Sequence, residues 1–417
     1  MSGPDAKADH ADEQLARKLC RLYQPLSGKV GELRRAGTRG DAQIAATFAS
    51  GQNATAKFSG SAATLKFSQQ SAGEALPAIF IPTKEVLSLV RGLTAEHPDV
   101  PTIERIFDDG YLDLARKLVR EGANDLDAKV QLDPKFASIV PRLANLIGGQ
   151  YLLENGRFVF EPGHYEEKGS ASRTRAKHAQ MYQDSTQWKF VPSGKHRLSS
   201  GMTAEGFRKI GVLQRLLSNG SLNPGATGPL LWDEPESNLN PKLMRDLVQA
   251  LLELARNGQQ IILATHDYVL LKWFDLLMDK GKGDQVRFHV LSRDADSGQV
   301  RRDSMDDYRA IEPNAIADTF NELTKEMLVR IMSVPKNAIY QQFRTIFTAE
   351  GVDLVVGPRV FEQIAEIAIE YKTGGRSLRG IFEELMTPIL YVVPDSPDIA
   401  RVEVSSLFEE AKLILRA

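Results

Sequence analysis

The chain has 417 residues, 42% hydrophobic and 25% charged, which suits an ordinary globular protein with room for two or three domains and argues against disorder. A formal charge of -2 gives no global attraction to nucleic acid or to an anionic membrane, so any such contact needs a local patch. One cysteine, Cys20, excludes an internal disulfide and a multi-thiolate zinc site and fits a reducing cytoplasm, and no apolar run approaches the ~18 residues of a membrane span.

The polar stretch from Met1 to Gln14 has no apolar core, so it reads as a solvated lead-in to a helix, not a secretory signal. Leu15, Leu19, Leu22 and Leu26 recur at helical spacing until Ser27-Gly28 stops the pattern. From about Ala42 to Gln69, alternation at Ile44, Ala46 and Phe48, at Ala56 and Phe58, and at Leu65 and Phe67 predicts a small antiparallel β region. Ile79-Phe80-Ile81 is a short strand, after which Thr83 can cap a helix beginning at Lys84.

The pattern is then mainly helical to about Gly148, and Tyr151 to Glu161 reads as a hairpin turning at Asn155-Gly156. Gly163 to Lys195 reads as a polar loop whose Arg173, Arg175, Lys177, His178 and Lys189 could face nucleic acid, although composition favours plain solvation. Pro229 to Thr265 reads as strand, helix, buried strand. Asn240 caps the helix, Pro241 opens it, and Leu243, Leu247, Leu251 and Leu254 mark its buried face. A parallel βαβ unit puts both Asp233-Glu234 and His266 at carboxyl ends of strands, where α/β sheets bind ligands.

Those residues have matching chemistry. Nucleotide hydrolysis needs an acid that holds Mg²⁺, usually through water, and a second that orients the attacking water; Asp233 and Glu234 fit these roles. A neutral His266 could donate to a γ-phosphate or fix that water. Ser199, Ser200 and Gly201 precede a helix from about Ala204 to Leu217, so hydroxyls, backbone N–H groups and a helix start could meet one anion. The same three residues also make an ordinary helix-entry turn.

In combination, HRLSSGM, LLWDEPESNLNP and ILATHD resemble the signature, Walker B with D-loop, and switch histidine of ABC-type ATPases. GMTAEGFRKIGVLQRLL with NGSL, and IFIPTKEVLSL ahead of them, look like the AAA-domain ATP-binding proteins grouped with AbiEii-type toxin and OLD-like ATPases, over roughly residues 15–320. The resemblance implies ATP and Mg²⁺ as cofactors, with Asp233 on the metal, Glu234 as catalytic base and His266 sensing the γ-phosphate. It implies that Ser199 and Gly201 touch ATP held by a second subunit, with Ser237 to Asn240, including Asn238, along a homodimer seam. No glutamine is assigned to the family's Q-loop.

The pattern G-x-x-x-x-G-K-[ST] occurs nowhere in these residues. The expectation is an ABC-type α/β sheet truncated at its N-terminus, with impaired hydrolysis, an unpaired sheet edge and exposed apolar surface. A P-loop-bearing ATPase partner is the alternative to a homodimer.

From about Phe320 the chain is similar to the small C-terminal domain of the ClpX unfoldase, through NELTKEMLVRIMSVPKNAIYQQFRTIFTAEGVDL and YKTGGRSLRGIFEELMTPILYVVPDSPDI. Periodicity gives helices at Leu323 to Met332, Ile339 to Ala349, Val360 to Tyr371 and Ser377 to Leu390, and a strand at Ala400 to Val404. The resemblance implies that Arg376 is a sensor reaching nucleotide phosphates, and a protein substrate or a ClpX-like ring as partner. The expected domains are therefore 1–319, an α/β ATPase domain with a helical lobe at about 83–195, and 320–417, a small α+β domain.

Overall fold

The computed structural model describes residues 4–48, 50–70, 76–94, 106–121, 126–168, 187–294, 296–371 and 373–416. It is mixed α/β and forms two compact units, Met1–Phe288 with Met305–Arg309, and His289–Ser304 with Ala310–Ala417. Among the described residues no helix is long and apolar enough to cross a membrane.

The first unit opens with α1 (Pro4–Tyr23). Proline suits a first helical turn, so the polar stretch expected as a lead-in is already helix. Ala16 on α1 joins Val30, Ala56, Phe58 and Leu65 in a small core over the antiparallel sheet β1 (Ala42–Thr47), β2 (Asn53–Phe58) and β3 (Lys66–Gln70), as the alternation predicts.

After β4 (Ile79–Ile81) the expected helix at Lys84 does not form, and among the described residues up to Thr94 only one turn, α2 (Val90–Leu93), is helical. The reason is Glu85. Its buried carboxylate accepts from the backbone and hydroxyl of Ser88 and lies 2.8 Å from Arg208, which holds the segment in turns. The helical lobe contains α3 (Asp109–Val119), α4 (Leu126–Leu132) and α5 (Pro134–Ile147), with Asp108 and Asp133 accepting backbone N–H bonds at the starts of α3 and α5.

The hairpin is as read: β5 (Gly149–Glu154) and β6 (Arg157–Lys168) turn at Asn155 and Gly156, with φ of 49° and 70°. Such a two-residue turn requires this left-handed pair. The polar stretch expected as a loop is partly strand, because β6 runs on to Lys168 and pairs with β7 (Gln187–Pro192), setting Lys189 opposite Glu166. Arg173, Arg175, Lys177 and His178 lie outside the described residues. The two-residue strand β8 (Leu198–Ser199) also pairs with β6 and leads to α6 (Glu205–Ser218).

The βαβ unit is present as β9 (Leu230–Asp233), α7 (Met244–Arg256) and β10 (Ile261–Ala264), followed by α8 (Tyr268–Leu277). Leu247, Leu251 and Leu254 of α7 are buried as expected, and Leu243 is half-buried in the turn before it. The sheet order is β10-β9-β4, all parallel, with Ile79 and Ile261 both opposite Leu230. The three carboxyl ends therefore align.

β10 is not the buried strand expected. It alternates between half-buried and exposed, with Ile262 48% exposed, because among the described residues only β9 pairs with it. Parallel strands are normally covered on both faces. The following α8 is strongly apolar yet fully buries only Leu270 and Phe274.

The second unit holds most of the hairpin β11 (Phe288–Arg293) and β12 (Val300–Met305). It continues with α9 (Ala315–Ser333), α10 (Ile339–Ala349), β13 (Asp353–Val356), α11 (Pro358–Glu370), α12 (Ser377–Val392), β14 (Ile399–Val404) and β15 (Lys412–Leu415). The four helices and β14 match the periodicity, although α9 starts earlier, at Ala315, where Asn314 caps it. β13 and β15 were not foreseen; they flank β14, parallel and antiparallel respectively. Phe347, Phe382, Met332, Met386 and Val402 are fully buried in one core.

Candidate functional site

The acid turn begins where β9 ends. Asp233 is half-buried, and the Thr83 hydroxyl at the end of β4 donates to its Oδ2. Glu234 has φ of 44°, a left-handed conformation that costs a non-glycine residue about 1–3 kcal/mol and persists only when its surroundings impose it. Its N–H donates to Ala264 O at 2.8 Å, tying the turn to the end of β10. Its carboxylate Oε1 lies 3.0 Å from Nδ1 of His266, whose side chain is 78% exposed. The structure thus brings Asp233, Glu234 and His266 to one edge.

Two residues on, Glu236 is 7% exposed. Thr265 Oγ1 donates to Glu236 Oε1 at 2.5 Å and accepts from Asp267 N at 3.0 Å, while Asp267 caps α8 through Leu270 N at 2.6 Å. The other Glu236 oxygen is buried without a hydrogen-bond partner. Burial pushes this carboxyl above the usual carboxylate range, more than the Thr265 bond lowers it.

Among the described residues no group of three His, Cys, Asp or Glu side chains is arranged to hold a metal. One half-buried carboxylate beside a hydroxyl nevertheless fits a cation that keeps most of its water and takes further oxygens from a phosphate, as Mg²⁺ commonly does.

Ser199, Ser200 and Gly201 play unequal parts. Ser199 and Gly201 are exposed, and a Cβ added at Gly201 would meet nothing nearer than Ser199 Oγ at 4.0 Å. Ser200 is buried, and its carbonyl accepts from Thr203 N at 3.2 Å, Thr203 Oγ1 at 2.7 Å and Arg208 Nη1 at 3.3 Å. Tyr151, whose phenol is pushed up to about 12 mainly by burial, meets Thr203 Oγ1 at 2.6 Å from below.

The expected seam residues also divide. Asn238, with φ of 61°, and Asn240 are exposed, Leu239 is buried, and half-buried Ser237 turns inward to donate to Thr83 O at 3.4 Å. Helix α6 grips this turn at two points. Gly206 approaches Asn238 O so closely that an added Cβ would fall 2.5 Å from it. Lys209 Nζ donates to Glu234 O at 3.2 Å and to Ser237 Oγ.

Sequence reasoning missed Thr83, Glu236, Thr265 and Lys209. Thr83 and Thr265 end strands beside the acid strand, which was a usable signal; Lys209, within an amphipathic helix, gave none. Arg376 is exposed in a turn before α12 in the second unit, with Thr373 Oγ1 and Ser377 Oγ 2.6 Å apart beside it.

Residues 101–272 match the model of the family described as "AAA domain, putative AbiEii toxin, Type IV TA system". That match supports an ATP-binding domain of AAA type and takes in Ser199 to Gly201, the acid strand and His266. The chain is also similar to the ATP-dependent Clp protease ATP-binding subunit ClpX of Bacteroides fragilis, 39% identical over 85 residues, 20% of each chain. The corresponding subunit of Treponema denticola is 46% identical over 74 residues, 18% of each chain. The chain thus spans only about a fifth of the length of the curated relatives it matches.

Proposed function

We propose that the first unit is an ATP-hydrolysing module of the ABC-like AAA group. The observation that carries this is the meeting of Asp233, Glu234 and His266 at adjacent parallel strand ends, with Glu234 and His266 3.0 Å apart. Asp233 would hold Mg²⁺ through water, and the cation would supply charge neutralisation at the phosphates. Glu234 takes the proton of the attacking water, and His266, held against Glu234, orients that water or the γ-phosphate. Ser199 and Gly201, open to the surface, contact nucleotide bound by a second copy, with Asn238 at the seam. In the second unit, similarity to ClpX supports Arg376 as a phosphate-sensing arginine and a protein substrate or ClpX-like ring as partner.

A second reading, a non-catalytic assembly module completed by a P-loop-bearing partner, is favoured by the open edge of β10. The carbonyls of Gln260 and Ala264 accept from Leu230 and Glu234 of the acid strand. By the two-residue period of a strand, the polar backbone groups of Ile261 and Leu263 face outward, beside exposed Ile262.

Titration with a fluorescent ATP analogue separates the two. The catalytic reading expects saturable binding by the chain alone. The assembly reading expects binding only when a strand, P-loop and helix segment from an AAA-domain protein is added, and Leu263→Pro, which removes an outward-facing N–H, should then abolish it. No binding under either condition refutes both.

A further inference from the structure

Lys209 is 1% exposed and among the largest fully buried side chains, which lysine tolerates only when its ammonium is well partnered. Both of its hydrogen bonds go to one element, the acid turn: Glu234 O at 3.2 Å, and Ser237 Oγ. The charges facing it are Glu205 on its own helix and Asp233, Glu234 and Glu236 across from it. Burial pushes the ammonium below its ordinary 10.5, and those carboxylates oppose that shift.

The turn it serves is strained, since Glu234 and Asn238 both hold positive φ, at 44° and 61°. One turn back on the same face of α6, Gly206 lets the helix lie directly on Asn238. The contacts then run on: Ser237 Oγ donates to Thr83 O, and Thr83 Oγ1 donates to Asp233. A movement of α6 must therefore move the acids, and α6 follows directly on exposed Ser199 and Gly201.

We propose that Lys209 is a positioning residue, the buried ammonium through which the helix behind Ser199-Ser200-Gly201 sets the backbone of Glu234 and hence the Glu234–His266 pair. Its functional meaning rests on the ATPase reading, whereas its geometry does not.

The test is amide hydrogen exchange on the full chain without nucleotide, so failure of ATP binding would overturn the ATPase reading and leave this one standing. The reporters are the N–H groups of Ser237 and Leu239, which donate to Glu234 O at 3.1 Å and Glu236 O at 2.9 Å. In Lys209→Met, loss of a charge-assisted bond should speed their exchange about ten-fold or more, while α7 and β9 stay protected. In the wild type, protection of the two amides, corrected for intrinsic exchange, should fall as pH rises through the Lys209 titration, and Lys209→Met should lack that step. If Lys209→Met does not fold, Ser237→Ala takes its place and should speed Leu239 exchange several-fold, on the order of one lost hydrogen bond. Unchanged exchange at these amides, or a uniform rise across the whole first unit, overturns the proposal.

Discussion

Gly206→Ala tests whether α6 is clamped to the acid turn. A Cβ there would fall 2.5 Å from Asn238 O, 3.0 Å from Leu239 Cα and 3.1 Å from Asn238 C, all backbone atoms that cannot swing aside. Overpacking of this kind costs about 1–3 kcal/mol. Alanine returns at most ~1 kcal/mol of helix propensity, and less at the second residue of a helix than in its interior. The net loss is about 1–2 kcal/mol, and at about 2–4 °C per kcal/mol for a domain this large, the first unit's Tm should fall by roughly 2–8 °C. Differential scanning calorimetry reads it, with Gly201→Ala as the comparison, because a Cβ at that position meets only Ser199 Oγ at 4.0 Å. A Gly206→Ala Tm equal to or above that of Gly201→Ala would refute the clamp.

Three further outcomes are expected. The raised Glu236 carboxyl binds its proton more tightly folded than unfolded, so stability at this group is lost as pH rises from its ordinary 4.5 through its folded value. Glu236→Gln should therefore raise the unfolding midpoint at pH 7, with a gain that shrinks towards pH 4.5; a pH-independent difference in thermal melts would contradict this. Glu234→Gln should cut any Mg²⁺-dependent phosphate release by about 10²-fold or more, and an unchanged rate would remove Glu234 as the base. In the second unit, Phe382 is fully buried with its ring centroid 5.3 Å from that of Phe343 and 6.1 Å from that of Phe361, so Phe382→Ala should cost about 3–5 kcal/mol. Hydrogen exchange across α10 to β14 measures that loss, and protection within error of wild type would exclude it.

Local pattern was enough wherever one short-range rule decided the outcome. Asn155-Gly156 admits the left-handed pair of a tight hairpin, and the leucines of α7 recur at a spacing that only a helix can bury together. It failed at Lys84, where a capping threonine and a good helical run lost to the bonds Glu85 accepts from Ser88 and its ion pair with Arg208. Thr83 itself went to Asp233 instead of a cap, a partner 150 residues away. The polar stretch after Gly163 likewise hid strand, because pairing across to β7 is set by partners, not composition.

The sequence by itself determined that an apolar strand ends in Asp233-Glu234, that a second ends at His266, and that a helix joins them, because periodicity and capping are local properties. Only the tertiary structure decided which of the neighbouring side chains serve that edge. It buried Ser200 and Lys209, turned Ser237 inward, and left Ser199, Gly201 and the flank of β10 open. Burial and hydrogen-bond partnership depend on what packs against a residue from distant parts of the chain, and no window of sequence contains that.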